Sequence, residues 1–552
     1  MRGGVRHKRE HGMSILAELN LYGRDYEQEL RPLIKAFLPD VDFEVNHYEA
    51  GEEAMRDIVD RIEKGVDASE KPQAAETKQS ESSGAEASAD GTVTPPGILL
   101  LAPNPANDYS FCMILMEDWY RIRIYKRGAL IGSADADHAD PERKAYRNRV
   151  AREIYGILAR DLGRGLPWGI LTGVRPTKLV YEAVTAGQAE ESIRETMRSE
   201  YLCSEAKIET SITIAKREHE ILSGMDYQNG YSIYIGIPFC PTTCAYCSFT
   251  SYPLSKFGKL ADEYLDALEK EIAFLGTCRP KRRLSTVYIG GGTPTALNEA
   301  QLERLLCMVK KYLPMDEVLE YTVEAGRPDS VTEEKMRLLK AYGVSRISIN
   351  PQSMRQKTLD LIGRRHTAEQ IVEAFRLARV CGHTNINMDI IIGLTGENPD
   401  DVSYTLSEIE KLNPENLTVH TLALKRAARL TTERDSFAGM AATGVTEMLD
   451  RTITFAASHG YKPYYLYRQK NMAENLENVG YAKPGSEGIY NILIREEKQT
   501  ILAAGAGAMS KFVFYGEDRI ERVENVKSLT DYITRVEEMI DRKREFLANN
   551  TL

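Results

Sequence analysis

The 552-residue sequence has no hydrophobic run long enough to span a membrane and no excess of positive charge. A membrane helix needs about 20 consecutive apolar residues, whereas residues 388–394 (MDIIIGL) have the length of a buried strand. The 71 basic residues are outnumbered by 81 acidic ones, which gives a net charge of −10. Because proteins bind nucleic-acid backbones through Lys and Arg, the composition argues against a nucleic-acid-binding protein.

Cysteine is too scarce for a disulfide-stabilised secreted protein, since the chain has eight cysteines in 552 residues. Disulfide scaffolds are short and cysteine-rich. The basic N-terminus (MRGGVRHKRE) is not followed by the apolar segment of a secretory signal peptide. We therefore expect a soluble cytoplasmic protein with reduced thiols.

Residues 67–92 lack Val, Ile, Leu, Met and aromatic side chains altogether. Such a segment cannot bury enough apolar surface to offset its ordering entropy, so we predict a disordered linker or long loop, with a polar helix as the alternative. It interrupts an N-terminal α+β module, residues 1–225. There, short β-rich runs separated by turn residues predict an antiparallel sheet, followed by a helix over 142–162. This module contains no recognisable catalytic motif.

One motif near the end of this module, residues 173–178 (GVRPTK), places a Pro and a Thr between two cations where a helix can begin. Such a helix start could hold a carboxylate. The alternative is a helix start whose charges are solvated.

Residues 226–430 alternate between strand-like and helical patterns. The strand-like runs are Ser232–Phe239, Thr286–Ile289, Val318–Glu324, Arg346–Ile349, Asn385–Ile392 and Asn416–Leu424, and the helical ones are Phe257–Leu275, Glu299–Leu313, Glu333–Tyr342, Glu369–Val380 and Asp401–Leu412. Alternation of this kind predicts right-handed βαβ units and a parallel sheet. Six units are too few for a closed eight-stranded barrel, so we predict an α/β fold, a partial (β/α)6 barrel. Chemistry in such folds takes place at the carboxyl ends of the strands.

Residues 431–552 show a mixed pattern, which predicts a smaller C-terminal domain. Helical stretches fall at 446–459 and 529–547, and a tyrosine-rich segment at 461–467 (YKPYYLY) predicts a strand.

Three of the eight cysteines, Cys240, Cys244 and Cys247, lie within eight residues, directly after the first predicted barrel strand. Thiolates are ligands of soft metals and of iron–sulfur clusters. Structural zinc needs four ligands, and no further Cys or His occurs in the thirty residues after Cys247. A redox pair would leave one cysteine unused. The C-x3-C-x2-C spacing therefore favours a cluster with three protein ligands, whose open iron can bind a substrate or cofactor.

This cysteine motif resembles that of the radical S-adenosylmethionine (SAM) superfamily. The surrounding sequence, from about Tyr231 to Phe514, resembles the oxygen-independent coproporphyrinogen III dehydrogenase family. The N-terminal extension with residues 168–178 and the segment 461–472 resemble the HemZ-like branch of that family. The resemblance implies a 4Fe–4S cluster and SAM as cofactors, and a reduced flavodoxin- or ferredoxin-type electron donor.

The resemblance also assigns roles to individual positions. It implies cluster ligation by the three cysteines and places Tyr234, six residues before the first of them, in the active site. The other residues that it implies to contact SAM are Tyr246, Gly291, Gly292, Thr293, Glu324, Gln352, Arg364, Asp389, Ala423 and Met509. For Ala423 and Met509, core packing is an equal alternative.

The implied reaction removes a hydrogen atom from a propionate side chain of coproporphyrinogen III. Loss of CO2 and one electron then leaves a vinyl group, and two rounds give protoporphyrinogen IX. A substrate with four carboxylates needs Arg or Lys, and the residues after the sixth strand supply Lys425, Arg426 and Arg429. We expect Arg426 to contact the substrate, with a solvated basic loop as the alternative.

One position departs from the dehydrogenase pattern, because Phe249 stands where those enzymes carry a further cysteine. That phenylalanine resembles the sister group of haem chaperones. Two alternatives therefore remain: a haem-binding chaperone, for which His366, His383 and His420 are candidate ligands, and a radical SAM methyltransferase or haem-degrading relative acting on a tetrapyrrole.

Overall fold

The computed structural model describes residues 15–39, 41–48, 55–56, 59, 104–247, 251–278, 282–423, 442–469, 476–517 and 519–550. The predicted linker 67–92 lies outside the described residues. The chain forms two compact units, residues 1–173 with 189–209, and residues 174–188 with 210–552. The domain boundaries that we place at residues 225 and 430 stay a prediction from the sequence.

The first unit is built on a five-stranded sheet with the order β2-β1-β3-β4-β5. Its strands are β1 (Ile15–Gly23), β2 (Val41–Tyr48), β3 (Tyr109–Leu115), β4 (Tyr120–Lys126) and β5 (Ala129–Ala136). The helices of this unit whose two ends are described are Glu27–Phe37, Arg143–Leu162 and Glu190–Ser199, and the helix Glu205–Ser223 begins in it.

The prediction of an antiparallel sheet is wrong for the part of this sheet formed by β1, β2 and β3. Strand β1 pairs in parallel with both β2 and β3, and only β3, β4 and β5 pair antiparallel. The helix Glu27–Phe37 between β1 and β2 accounts for the difference, because a crossover helix returns the chain to run in the same direction. Its apolar face, which includes Leu30, Leu33 and Ile34, is buried.

The second unit is built on an eleven-stranded sheet with the order β14-β15-β13-β12-β11-β10-β9-β6-β16-β17-β18. Its strands are β6 (Gly230–Ile237), β9 (Arg283–Gly291), β10 (Glu320–Glu324), β11 (Arg346–Ser348), β12 (Ile386–Ile392), β13 (Asn416–Thr421), β14 (Lys462–Tyr467), β15 (Asn478–Ala482), β16 (Thr500–Ala504), β17 (Met509–Phe514) and β18 (Arg519–Glu524), and a separate pair is formed by β7 (Phe239–Cys240) and β8 (Tyr252–Pro253).

The helices that the structure describes in the second unit lie before, between and after its strands along the chain. They are Lys178–Thr185, the remainder of Glu205–Ser223, Leu254–Phe257, Ala261–Thr277, Glu299–Tyr312, Glu333–Ala341, Gln356–Leu361, Ala368–Val380, Pro399–Leu412, Val445–Ser458, Ile489–Arg495, Leu529–Thr534 and Val536–Asn549. Within the part of the chain that the structure describes, no helix combines the length and the apolar character needed to cross a membrane.

The six strands predicted from the alternation are confirmed as neighbours in one parallel array, β6-β9-β10-β11-β12-β13. Side chains alternate between the two faces of each strand, and the inward positions of this array carry polar groups. Ser232 on β6 accepts a hydrogen bond from Thr286 and donates one to Gln499, and Thr418 on β13 donates one to Asn387 on β12. The barrel therefore has a polar interior that can hold a polar cofactor.

The strands of the C-terminal 120 residues extend this sheet. Strand β16 pairs in parallel with β6, and β15 pairs antiparallel with β13, so both edges of the six-stranded array are continued. The amino end of the helix Ile489–Arg495 is capped by the buried Glu320, whose carboxylate accepts hydrogen bonds from the backbone N–H groups of Ile489 and Tyr490. That cap fixes Tyr490 against the barrel strands.

Candidate active site

The cysteine loop leaves the carboxyl end of β6, the position predicted from the sequence. Cys244 is buried, while Cys240 and Cys247 are partly exposed. The loop is tied to the segment after the helix Gln356–Leu361 by a hydrogen bond of 2.9 Å from Ala245 N to Ile362 O. The thiols are therefore presented on a backbone that is fixed by a neighbouring barrel segment.

The glycine turn at residues 290–293, at the carboxyl end of β9, packs directly against this loop. Gly292 N donates to Ile237 O and Thr293 N to Phe239 O, each at 2.7 Å, and the Thr293 hydroxyl lies 3.5 Å from the Cys240 sulfur. Gly291 has a φ of +107°, a conformation that residues with a Cβ avoid. The turn requires glycine because the backbones of two segments meet there.

We predict that Gly292→Ala weakens SAM binding by at least about tenfold, about 1.4 kcal/mol. A Cβ at residue 292 would lie 2.5 Å from Phe239 O and 3.1 Å from the Cys240 sulfur. A backbone carbonyl cannot move aside cheaply, so the turn and the cysteine loop must separate. The SAM dissociation constant of the reconstituted protein measures the effect.

Gly258→Ala is the matched control for this substitution. Its Cβ would meet only a Leu254 methyl group at 3.8 Å, an ordinary van der Waals contact. Equal SAM affinities in the two variants would contradict the packing role that we assign to Gly292.

Tyr234 lies on the inner face of β6 in a stack of three aromatic rings. Its ring centroid is 6.2 Å from that of Tyr288 and 6.5 Å from that of Tyr490, and the latter two are 4.5 Å apart. The Tyr288 hydroxyl donates a 2.5 Å hydrogen bond to Glu324 at the end of β10. A Cβ on Gly291 would lie 3.1 Å from the Tyr234 hydroxyl, and one on Gly290 would lie 2.8 Å from the Glu324 carboxyl carbon. Tyr234, Glu324 and the glycine turn thus form one packed group.

The pKa of Glu324 is raised to about 7 by burial, with the charge of Asp389 acting in the same direction and the Tyr288 hydrogen bond opposing it. The sequence-based prediction that Glu324 contacts SAM then implies that SAM affinity increases as the pH rises from about 6 to about 8, because only the ionised carboxylate attracts a cation. Glu324→Gln should remove this dependence. Tyr288→Phe removes a donor that lowers the pKa, so it should shift the midpoint to higher pH. Dissociation constants measured across this range test both statements, and an unchanged midpoint in Tyr288→Phe would contradict the second.

Gln352, which follows the carboxyl end of β11, is held against Asp389 in the middle of β12. Gln352 has a φ of +66°, and its backbone N–H donates to Asp389 O at 2.9 Å. Burial raises the pKa of Asp389, but the hydrogen bond and charge of His420, together with the hydrogen bond from Asn387, lower it below its ordinary value. Asp389 is therefore an ionised carboxylate facing the barrel interior.

Arg364 connects this group to the cysteine loop. Its guanidinium is buried and donates to Asn350 O. Burial lowers the pKa of Arg364, but the charges and hydrogen bonds of Tyr246 and Cys244 outweigh that effect and raise it. The predicted residues Tyr246 and Arg364 therefore lie together beside one of the three thiols.

Several buried polar atoms near these residues have no hydrogen-bond partner within the described chain: Ser348 Oγ, Asn350 Oδ1, Gln352 Oε1 and Arg364 Nε. Buried polar atoms are normally paired, and these lie on or after β11, between Glu324 and Asp389 in strand order. They fit a site that a polar ligand completes. Gln352 was predicted from the sequence but Ser348 and Asn350 were not, although polar residues alternate at 348, 350 and 352.

Two further contacts were missed. Arg327 donates to the Cys244 sulfur at 3.6 Å, and Tyr490 supplies one ring of the tyrosine stack. Arg327 follows Glu324 by three residues, in a segment whose sequence predicts only a loop. Tyr490 lies 166 positions beyond Glu324 in the chain, and no local pattern connects them.

Ala423 and Met509, for which core packing was the alternative, lie at the same edge of the sheet. Ala423 follows the carboxyl end of β13, and Met509 begins β17 after the turn at 505–508 and is 39% exposed. Arg426, Lys425, Arg429 and Phe249 lie outside the described residues, so their predicted roles stay predictions.

Of the three candidate haem-binding histidines, only one faces the barrel interior with an exposed edge. His366 is fully buried, and the His383 ring lies 3.0 Å from the carbonyl oxygen of Met336. His420 Nε2 lies 3.7 Å from Asp389, and the side chain is 29% exposed.

The residues around the three thiols fit a 4Fe–4S cluster. In the described ranges, no three His, Cys, Asp or Glu side chains gather as one metal ion would require, but each thiolate of a cluster binds a separate iron. The guanidinium groups of Arg327 and Arg364 lie beside Cys244 and supply positive charge where an anionic cluster would be held. The neighbouring unpartnered polar atoms leave hydrogen-bonding capacity for SAM.

Comparison with known proteins gives the same picture. The family described as the radical SAM superfamily matches residues 234–409. The oxygen-independent coproporphyrinogen-III oxidase-like protein HemZ of Bacillus subtilis is 41% identical over 408 residues, 73% of this chain and 81% of that protein. The haem chaperone HemW of the same organism is 31% identical over 312 residues, 55% of this chain and 76% of that protein.

Among solved structures, coproporphyrinogen III oxidase (HemN) from Escherichia coli is 26% identical with a TM-score of 0.45. The match covers 56% of this chain and 70% of that one.

Proposed function

The chain belongs to the radical SAM superfamily and, within it, to the family of HemZ-type oxygen-independent coproporphyrinogen III oxidase-like proteins, and on that premise we propose that it oxidatively decarboxylates coproporphyrinogen III. The proposed product is protoporphyrinogen IX, formed by converting two propionate side chains to vinyl groups. Members of this superfamily use a 4Fe–4S cluster and SAM, so both belong to this protein as cofactors.

The single observation that carries the proposal is the position of the Gly290–Thr293 turn. One side of the turn packs against the Cys240 loop, and the other packs against Tyr234 and Glu324. A ligand at this turn therefore meets the cluster loop and the barrel interior at once. This is the arrangement that a reductively cleaved cofactor needs in order to act on a substrate inside the barrel.

We propose that Cys240, Cys244 and Cys247 hold the cluster. When bound, the cluster and SAM supply the 5′-deoxyadenosyl radical that removes a hydrogen atom from substrate. The protein holds these groups in place and excludes water. The residues that we propose to bind and orient SAM are Tyr246, Gly291, Gly292, Thr293, Glu324, Gln352, Arg364 and Asp389, with Ala423 and Met509 at the rim.

Tyr234 is proposed to line the reaction chamber from β6. Its ring stacks with the rings of Tyr288 and Tyr490. This packing keeps the Tyr234 hydroxyl in one position. The ionised Asp389 lies across the barrel and can accept a hydrogen bond from a bound polar group. These residues orient ligands and exclude water from the reacting atoms.

The carboxylates of the substrate need cationic partners, and we propose that Arg426 is one of them. Replacing Arg426 with alanine should weaken substrate binding while leaving SAM cleavage intact. Unchanged substrate affinity in that variant, with SAM cleavage intact, would exclude Arg426 from the site. The electron donor is proposed to be a reduced flavodoxin or ferredoxin.

A haem chaperone is the second candidate function, and a specific observation favours it. Phe249 stands where the dehydrogenases carry a further cysteine, and a haem chaperone is 31% identical to this chain. In this candidate function His420 is the histidine best placed to contact haem, because its edge is exposed beside the barrel interior. His420→Ala should then reduce haem affinity.

One anaerobic experiment separates these functions. Reconstituted protein is incubated with dithionite, SAM and coproporphyrinogen III, and the porphyrin and nucleoside products are separated chromatographically. Vinyl product with 5′-deoxyadenosine supports the dehydrogenase. A parallel titration with haem that shows stoichiometric binding, together with no turnover of coproporphyrinogen III, supports the chaperone. S-adenosylhomocysteine with a methylated tetrapyrrole indicates a methyltransferase.

A further inference from the structure

Arg327 is a buried cation next to the cysteine loop. It follows the carboxyl end of β10 by three residues, and its side chain is 3% exposed. Its main chain is fixed as well, because Ser330 donates to Arg327 O through both its backbone N–H, at 3.0 Å, and its hydroxyl, at 2.6 Å. A buried guanidinium must find partners for its N–H groups.

The guanidinium divides its hydrogen bonds between two directions. Nε and NH2 donate to the two carboxylate oxygens of Asp329, at 2.9 and 2.7 Å. NH1 donates to the Thr242 hydroxyl at 3.0 Å and to the Cys244 sulfur at 3.6 Å. The bidentate pair with Asp329 therefore holds the third nitrogen in a fixed position against the thiol.

We propose that Arg327 raises the reduction potential of the cluster through its charged hydrogen bond to the Cys244 thiolate. This inference rests on the proposed role of Cys244 as a cluster ligand. Hydrogen bonds to ligand sulfurs and nearby charge set the potential of an iron–sulfur cluster. A reduced cluster carries one more negative charge than the oxidised one, so a fixed cation stabilises the reduced state more.

Asp329 should act in the opposite direction. Its carboxylate lies on the side of the guanidinium away from the sulfur, and it partly offsets the field of Arg327. Arg327 and Asp329 together form a fixed dipole whose positive end faces the Cys244 sulfur, where the cluster would be held. Arg327 acts through a ligand rather than on substrate, so it is a positioning residue.

The test measures the reduction potential of the cluster by anaerobic dithionite titration, followed by the electron paramagnetic resonance signal of the reduced cluster. Iron and sulfide content are determined in parallel. The variants are Arg327→Met, Arg327→Lys and Asp329→Asn. Arg337→Met is the matched control, because this arginine is 62% exposed and paired with Glu333 on an outer helix.

In Arg327→Met we expect the ratio of reduced to oxidised cluster at a fixed potential to fall about tenfold, equivalent to about 59 mV for a one-electron couple. The reduction potential of Arg327→Lys should lie between those of Arg327→Met and the wild type. Lysine keeps the positive charge but lacks the planar guanidinium that pairs with both oxygens of Asp329. Asp329→Asn should shift the potential upward, and Arg337→Met should leave it unchanged. Opposite shifts in Arg327→Met and Asp329→Asn are an outcome that general loosening of the loop would not produce.

Two results would overturn the inference. One is full cluster occupancy in Arg327→Met with the wild-type potential, and the other is a shift of the same sign in Arg327→Met and Asp329→Asn. If Arg327→Met loses its cluster, the potential of Asp329→Asn tests the inference instead. A potential above that of the wild type supports the inference, and an unchanged potential refutes it. A wild-type protein without any four-iron signal would refute the proposed function itself, which is a separate result.

Discussion

Replacing Cys244 with alanine should abolish the four-iron chromophore and with it all SAM cleavage. The Cys244 thiol is the buried one of the three, and two guanidinium groups lie beside it. Without this thiol only two protein thiolates remain to hold a cluster, and a second iron has no protein ligand. The measurement is iron and sulfide content after reconstitution, together with the visible absorption of the cluster and the yield of 5′-deoxyadenosine.

Cys307→Ala is the matched control for this prediction. Cys307 is exposed on the helix Glu299–Tyr312, and its sulfur lies 2.9 Å from the Tyr342 hydroxyl. We expect Cys307→Ala to keep the full iron content and activity. A four-iron chromophore that survives undiminished in Cys244→Ala would refute the ligand assignment.

Lys543→Met should lower the free energy of unfolding by about 3–5 kcal/mol, the usual effect of leaving one partner of a buried ion pair unpaired. The Lys543 and Glu271 side chains are 1% and 0% exposed, and their charged atoms lie 2.7 Å apart. Glu271 also accepts hydrogen bonds from Gly505 N at 2.8 Å, from Asn525 and from the Tyr532 hydroxyl at 2.6 Å. Without the lysine, the carboxylate keeps its neutral donors but loses its counter-charge.

Denaturant unfolding of Lys543→Met against Lys270→Met tests this prediction. Lys270 precedes Glu271 on the same helix, and its ion pair with Glu537 is 58% and 68% exposed, so its loss should cost no more than about 1 kcal/mol. Adding Glu271→Gln to Lys543→Met should restore part of the stability, because the buried charge is then removed. Equal destabilisation by Lys270→Met and Lys543→Met would contradict the assigned role of the buried pair.

This buried network also bears on the candidate site. Glu271 fixes the backbone of Gly505, which begins the turn leading to Met509. A Cβ on Gly505 would lie 2.4 Å from Gly236 O, so this turn lies against β6 four residues before the first cysteine. The C-terminal helix Val536–Asn549 thus helps to fix a turn at the edge of the barrel through Lys543.

The barrel strands could be predicted because each has a local signal. Runs such as Asn385–Ile392, separated by helices of regular period, reappear within one to a few residues as β12 and its neighbours. Glu324, a candidate residue at the end of β10, follows from the rule that the carboxyl ends of parallel strands share one edge. The parallel pairing of β1 was not predicted, because strand direction depends on how the intervening helix packs.

Cofactor class and barrel type were therefore determined by the sequence alone, since a three-cysteine spacing and a strand–helix alternation are set by neighbouring residues. The tertiary structure decided which distant groups reach the cysteine loop and the chamber. It brought Arg327 to Cys244 and Tyr490 to Tyr234, and it paired Glu271 with Lys543 across 272 positions. It also joined β14–β18 to the barrel sheet. Contacts of this kind depend on burial and charge balance in the folded core, where side chains far apart in the chain meet, and no local pattern of residues records them.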